Sequence, residues 1–329
     1  MASPLPTLLR DRRVVATAQL LALAVLLGAL GYAVRGIWPD AAPRLRSADP
    51  AQLAAALAVV AASYLVFVLG WVWILAGLGI RLPYSVALQS EMVSMLAKYV
   101  PGGVWTPVAR VVALRRYGTY DTSLVLASIA LEAGLSALAG VLVFLVGLPI
   151  AGVVDVPLAP VLGFGAVVAV LVHPRVFVPV ASFLLRPFGA GRIPRLSYRQ
   201  TLSVLGFYIA FWPLGGFALF LLIRSVGGDP PAAAIPFLGG AAAVGAIVAV
   251  LAVFAPSGLG VREAAMFGLV LTVAAEGAAL GAVVLNRLVI TVVEAGLLVG
   301  GAAAWRLRRR RAARTAAPRT EAHPVRPRA

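Results

Sequence analysis

Four charged residues stand at matched spacings in segments of this sequence that are predicted to lie within a membrane. Glu91 and Lys98 are seven residues apart, and so are Arg287 and Glu294. Seven residues make about two turns of an α-helix, so each pair is expected to share one helix face. Charges in an apolar environment persist where they meet partners or line a wet cavity. The pattern predicts a polar centre in which cations neutralise an anionic group and carboxylates pair with them when the site is empty.

Two stretches rich in Pro and Gly break the helical pattern. The first reads Lys98-Tyr99-Val100-Pro101-Gly102-Gly103-Val104-Trp105, and the second reads Ala255-Pro256-Ser257-Gly258-Leu259-Gly260-Val261-Arg262-Glu263. A helix is interrupted at membrane depth only where the freed backbone groups face protein or a wet cavity. The predicted broken-helix elements are Pro101, Gly102, Gly103, Trp105, Pro256, Gly258 and Gly260.

The second break is predicted to start a helix that attracts negative charge. Arg262 and Glu263 follow Gly260 almost directly, and the free N–H groups of a helix start favour anions. We expect Glu263 to cap its own helix while Arg262 meets a phosphate; the alternative is a local pair between these two side chains. Lys98 is the only lysine in the sequence. It either lines the cavity or is a cation whose side chain extends to the membrane interface.

Arg110 and Glu132 complete the candidate set. Arg110 either lines the cavity or is an interfacial cation near Arg115. We expect Arg287 and Glu294 to pair with Glu132 or Lys98, because buried charges without partners are costly. The predicted substrate-binding residues are Lys98, Arg110, Arg262, Arg287, Glu91, Glu132, Glu263 and Glu294. No catalytic residue is predicted.

The composition is that of a membrane protein with several spans. Hydrophobic residues make up 61% of the sequence and charged residues only 12%, which is too apolar for a water-soluble globule. The net charge of +16 comes from arginines in short segments between apolar runs, so we predict contact with anionic lipid and no nucleic-acid partner. The sequence has no cysteine, and its two histidines are far apart, so neither metal nor cofactor is predicted. The arginines predicted to contact anionic lipid after the last apolar run are Arg306, Arg308, Arg309, Arg310 and Arg311.

The spacing of the apolar runs predicts an all-α polytopic membrane protein with about six full spans and two re-entrant helical hairpins. Residues 1–13 form a cytoplasmic N-terminus. The first half, 14–172, has spans at about 14–34, 53–80, 122–148 and 158–172 and a hairpin at about 84–114. Trp71 and Trp73 are assigned to an interfacial belt.

A basic cytoplasmic connector, 173–200, separates the halves. The second half, 201–305, has spans at about 202–223 and 281–304 around a broken pair at about 232–276, and 306–329 form a basic disordered cytoplasmic tail. Each half thus combines a span, a broken pair and a span with an intramembrane Glu, an inverted repeat that indicates a transporter site near the bilayer midplane. The second broken pair is either a re-entrant hairpin or two full spans.

The two breaks, together with Glu91, resemble the flippase-like membrane domain known as the transmembrane region of lysylphosphatidylglycerol synthases. The resemblance extends over about 53–304, and Ser257 stands where that family often has Gly. It implies movement of lipid between leaflets through a cavity where two re-entrant helices meet. In the best-known members an attached synthase domain makes an aminoacylated phosphatidylglycerol, and we expect a stand-alone member without that domain.

These observations lead to one functional prediction and one alternative. We expect a flippase, not an enzyme, that moves a polar or anionic lipid head group, of a phospholipid or a polyprenyl-phosphate-linked sugar. Its expected location is the cytoplasmic membrane of a bacterium, with both termini in the cytoplasm. The alternative is a non-catalytic membrane partner of a glycosyltransferase or lipid-modifying enzyme. An enzyme acting on lipid phosphates is disfavoured because metal and nucleophile patterns are missing.

Overall fold

Polar residues placed just before the apolar runs set where the long helices begin. Asp49 accepts hydrogen bonds from the N–H groups of Ala51 (2.8 Å) and Gln52 (3.3 Å) at the start of helix α1, Pro50–Gly77. Asp121 caps helix α4, Thr122–Ile150, in the same way. These caps satisfy N–H groups that have no partner within the helix, so the ends of these apolar runs are defined by local sequence.

The computed structural model describes residues 46–99, 105–118, 120–154, 196–252 and 255–316, together with isolated positions between 35 and 44 and between 163 and 175. This part of the chain contains helices and no strand. Five of its helical segments are long and apolar enough to cross a membrane. They are Pro50–Gly77, Thr122–Ile150, Tyr198–Ser225, Ala232–Leu251 and Glu276–Gly301. The protein is therefore a multi-pass membrane protein.

The first break separates two helices that are each too short to span a bilayer. Helix α2, Tyr84–Met95, passes into a 3₁₀ turn, Leu96–Tyr99, and helix α3 follows at Trp105–Leu114. The two helices pack against each other. The predicted elements Pro101, Gly102 and Gly103 lie outside the described residues. The two short packed arms agree with the sequence pattern, while their re-entrant topology stays a prediction.

The second break has the same construction in the second half. Helix α5, Tyr198–Ser225, leads through a 3₁₀ turn, Ala232–Ala234, to helix α6, Ile235–Leu251. A 3₁₀ turn, Pro256–Gly258, then precedes helix α7, Val261–Val270, and helix α8 is Glu276–Ala316. The segment before this break is long enough to span a membrane by itself, whereas α7 is not.

The 3₁₀ turns of the two breaks contact each other, and this contact joins the halves at their interrupted helices. Helix α8 of the second half also packs against α1 and α2 of the first. Helix α6 packs between α4 and α5. Gly240 of α6 lies so close to the backbone of Phe144 that a side chain there would collide with it. Small residues allow this kind of close helix approach in membrane proteins.

Three apolar clusters hold these elements around the breaks. One joins α5, α6, α7 and α8 through residues such as Leu219, Leu238 and Met266. A second joins α1, α4 and α5, and a third joins α1, α2, α3 and α4 around Trp71. Trp71 is fully buried while Trp73 is half exposed. Trp71 therefore does not face lipid as a residue of an interfacial belt would, because its indole packs against the helices of the first broken pair.

The predicted helix bounds agree closely with the structure except at the end of the last span. The spans predicted at 53–80, 122–148 and 202–223 correspond to α1, α4 and α5. Helix α8 begins at Glu276 and continues to Ala316, so residues 306–316 are helical where a disordered tail was predicted. The span predicted at 14–34 and residues 317–329 lie outside the described residues, as do most of the span predicted at 158–172 and most of the connector 173–200.

Candidate functional site

Arg110 and two glutamates form a first group of charges, which we call the interior cluster. Arg110 Nη2 donates to Glu91 Oε1 (2.7 Å), and Nη1 donates to Glu132 Oε2. The three residues come from α3, α2 and α4, and each is at most 5% exposed. Arg110 is therefore not the interfacial cation that the sequence left open. It is the cation that joins both arms of the first broken pair to α4.

Uncharged groups fix the position of Arg110 within the interior cluster. Its guanidinium carbon lies 4.6 Å from the centroid of the Trp71 ring, a cation–π distance. Trp71 Nε1 donates to Ser128 Oγ (2.9 Å), which orients the indole against α4. Arg110 Nε donates to Ser94 Oγ (3.4 Å). Four helices of the first half thus contribute to one closed polar site.

A second group of charges lies where the two breaks meet, and we call it the junction cluster. It comprises Lys98, Arg262, Glu263, Arg287 and Glu294. Lys98 Nζ donates to Glu294 Oε1, and Tyr64 Oη donates to the same oxygen. This ion pair joins the first break to α8, over 196 residues of sequence. It is the predicted pairing of Glu294 with Lys98 across the two halves.

Arg287 joins α8 to the second break. Its Nη1 lies 3.5 Å from Glu263 Oε1 and donates to the backbone carbonyl of Ser257 (3.3 Å). Glu263 Oε2 in turn accepts from the N–H of Gly260 (2.7 Å), the helix cap expected from the sequence. Glu263 therefore pairs with Arg287 and not with its neighbour Arg262.

Ser257 holds a backbone conformation that side chains rarely adopt. Its φ is 53°, in the left-handed region, and Gly258 and Gly260 follow with φ of 65° and 81°. Glycine adopts this region without steric cost, whereas a residue with Cβ does not. The turn directs the Ser257 carbonyl at Arg287. The arginine that pairs with Glu263 therefore also holds the backbone of the break in place.

The junction cluster contains three cations and two carboxylates. Arg262 is half-buried at the start of α7, and its charge acts on Lys98 together with that of Arg287. In the described part of the chain Arg262 forms no ion pair with a carboxylate. The Lys98 side chain is 26% exposed, against 4% for Glu294 and Arg287. The cluster is therefore electropositive and opens toward its surroundings at Lys98.

The structure separates two residues that the sequence placed together. Glu91 belongs to the interior cluster and Lys98 to the junction cluster, although a regular helix would put them on one face. Helix α2 ends at Met95 and tightens into the 3₁₀ turn that contains Lys98, so the seven-residue spacing no longer puts the two residues on one face. Arg287 and Glu294, which lie in an unbroken helix, both face the junction.

Three aromatic side chains at these sites were not identified as site residues from the sequence. Tyr64 binds Glu294, Trp71 covers Arg110, and Tyr208 lies beside Glu132 with its side chain fully buried. The only sequence signal was a polar tip on an aromatic ring within an apolar run. Of the remaining predicted elements, Trp105 is half exposed at the start of α3.

Comparison with known families found one match over most of the chain. Residues 19–300 match the family described as the lysylphosphatidylglycerol synthase TM region. The matched range includes both breaks and all members of the interior and junction clusters. Comparison with the curated proteins found no match. Within the described ranges, no group of three or more His, Cys, Asp or Glu residues is arranged to hold a metal ion.

Proposed function

The chain belongs to the lysylphosphatidylglycerol synthase transmembrane-region family, and we propose that it is a lipid flippase. Its substrate is a lipid with a polar or anionic head group, either a phospholipid or a polyprenyl-phosphate-linked sugar. It moves this head group across the cytoplasmic membrane, at the junction of the two broken helices. The protein makes no covalent change to the lipid, so it acts as a carrier and not as an enzyme.

The positive excess of the junction cluster is the observation that carries this proposal. Three cations face two carboxylates, and an unpaired charge in a low-dielectric site is costly. A phosphate supplies the missing negative charge and accepts hydrogen bonds from lysine and arginine. The breaks suit this role because interrupted helices leave backbone groups that bind ions at membrane depth.

Lys98 is the residue through which lipid binding acts on the two halves. In the empty site its ammonium pairs with Glu294 of α8, and this contact holds the first break against the second half. A lipid phosphate competes with Glu294 for Lys98, while Tyr64 keeps its hydrogen bond to the released carboxylate. Binding of the anion therefore favours the arrangement in which the two halves separate. Arg262 and Arg287 hold the phosphate from the side of the second break.

The experiment compares lipid movement in vesicles with and without the protein. Labelled phosphatidylglycerol, its lysyl ester and a polyprenyl-phosphate sugar are each tested for transfer between leaflets. We expect faster movement of at least one lipid with the wild-type protein, and loss of that increase in Lys98→Ala and in Arg262→Ala. Arg116→Ala is the matched control, because Arg116 is an exposed cation in the turn that follows α3.

Two outcomes would refute parts of this assignment. If Lys98→Ala and Arg262→Ala move lipid as fast as Arg116→Ala, the junction cluster is not the binding site. If no lipid moves and a glycosyltransferase or lipid-modifying enzyme co-purifies, the protein is instead a membrane partner of that enzyme. Release of phosphate from a lipid substrate would contradict the carrier assignment.

The basic end of α8 has a separate role in this proposal. Helix α8 continues through a run of arginines before it ends at Ala316. The members are Arg306, Arg308, Arg309, Arg310 and Arg311. Basic segments next to a span bind anionic lipid head groups and lie on the cytoplasmic side. Arg10, Arg12 and Arg13 likewise precede the first predicted span, so we propose that both termini lie in the cytoplasm and that the membrane is the inner membrane of a bacterium.

A further inference from the structure

The interior cluster has an unequal number of buried acids and bases. Arg110 is its one cation, and Glu91 and Glu132 both bind that guanidinium. With every group ionised the cluster carries one negative charge more than it can neutralise. The two carboxyl side chains are 3% and 4% exposed, so water does not supply the missing stabilisation. An uncompensated buried charge is expensive, and such a site takes up a proton instead.

The oxygen atoms of the two carboxyls show where a proton fits. Each carboxyl uses one oxygen for Arg110, and the other, Glu91 Oε2 or Glu132 Oε1, has no hydrogen-bond partner among the described residues. The buried hydroxyl of Tyr208 lies beside Glu132, where it can accept a hydrogen bond from a protonated carboxyl. A protonated carboxyl gains a donor that an ionised one lacks. A proton on either oxygen therefore supplies a hydrogen-bond donor and removes the excess negative charge.

No other described charge compensates the cluster. The helices that enclose it are α1, α2, α3, α4 and α5. Their titratable groups facing the cluster are Glu91 from α2, Arg110 from α3, Glu132 from α4 and Tyr208 from α5, while α1 contributes the uncharged Trp71. Among the described residues, no printed ion pair joins these carboxyls to Lys98 or to the arginines of the junction cluster. The two polar centres are therefore held by separate ion pairs.

We propose that the Glu91–Arg110–Glu132 cluster is a proton-binding site that holds one proton between its two carboxyls at neutral pH. The proton comes from water and leaves the cluster neutral, with one carboxyl paired to Arg110 as the anion and the other bound to Arg110 as the acid. Because two like charges share the site, the proton belongs to the pair and not to one residue. This site does not depend on what the junction cluster binds.

Infrared spectroscopy of the purified protein tests this proposal directly. A protonated carboxyl has a C=O stretch that a carboxylate lacks, so the wild-type protein should show this band at neutral pH. Glu91→Gln and Glu132→Gln each leave one carboxylate against one guanidinium, a balanced pair that needs no proton. The band should therefore be lost in both variants. Glu276→Gln, which removes an exposed carboxyl at the start of α8, should retain it.

Each outcome of the infrared comparison either supports the proton site or overturns it. A band in the wild-type protein that both Gln variants lose supports the proton site. Absence of the band from the wild-type protein at neutral pH overturns the proposal, and this result needs no variant to fold. Persistence of the band in either Gln variant also overturns it. The measurement is independent of lipid movement, so a failure here leaves the proposed flippase function standing, and the reverse holds as well.

Discussion

Replacing Arg110 by Met removes the only cation of the interior cluster and leaves two buried carboxyls without a partner. The variant keeps an unbranched apolar side chain under Trp71, so lost packing contributes little. Both carboxyls must then be neutral in the folded protein. In the unfolded protein they are exposed to water and ionise near their usual pH. The cost of the substitution is therefore mainly the cost of holding protons.

The size of that cost depends on how many protons the wild-type cluster already holds. A glutamate ionises in water near pH ~4.3, so keeping one carboxyl protonated at neutral pH costs about 4 kcal/mol. If the wild-type cluster already binds one proton, Arg110→Met requires one more and lowers the free energy of unfolding by about 4 kcal/mol. If the wild-type cluster binds none, two are required and the loss is about 7 kcal/mol.

The pH dependence of the stability is an independent measure of how many protons the wild-type cluster holds. The folded variant binds more protons than its unfolded state, so its stability falls as pH rises. Each additional proton makes the loss relative to wild type grow by about 1.4 kcal/mol per pH unit above the range where glutamate ionises in water. We expect the loss of stability to grow with pH at the rate for one additional proton. The assay is unfolding by a denaturing detergent in mixed micelles at a series of pH values.

A triple variant controls for effects other than charge. Adding Glu91→Gln and Glu132→Gln to Arg110→Met removes both acids, so the pH dependence should disappear and much of the lost stability should return. A difference between Arg110→Met and wild type that does not change with pH would refute the reasoning. A two-proton slope would refute the shared proton specifically.

Three further predictions test the packing and the breaks. Gly240→Ala should lower the free energy of unfolding by about 1–3 kcal/mol because a Cβ there meets the backbone of Phe144; Gly206→Ala, with open space around it, is the matched control and should be neutral or stabilising. Ser257→Gly should keep stability or raise it by up to about 1 kcal/mol, since it relieves the positive φ of 53°; a clear loss would contradict that account. Tyr64→Phe should lower stability by about 1 kcal/mol through its lost hydrogen bond to Glu294, and no change in unfolding would show that this bond is not formed.

The elements of the fold were largely predictable because local rules determine them. Apolar runs of spanning length became the long helices, and Asp49 and Asp121 stand where caps belong. The paired Pro-Gly breaks predicted that two interrupted helices exist. Their contact with each other was inferred from the repeat and the family resemblance, since no local rule relates residues so far apart in the chain.

The partners of the charged residues were harder to predict. The charged residues of both clusters were selected from the sequence, but the partner of Glu91 depended on where α2 ends and tightens into a 3₁₀ turn. Propensity does not locate that point to within a turn of helix. Arg287 reaches Glu263 because α8 crosses the second break, which is a property of the packing and not of any spacing.

The most direct test of the flippase proposal is the rate at which an anionic lipid changes leaflets in vesicles carrying wild type, Lys98→Ala or Arg116→Ala. The three proteins are reconstituted in equal amounts, and folding is checked by their elution in detergent. The proposal predicts that wild type and Arg116→Ala accelerate the movement, while Lys98→Ala returns the rate to that of protein-free vesicles. Equal acceleration by all three proteins would contradict a lipid path through the junction of the two breaks.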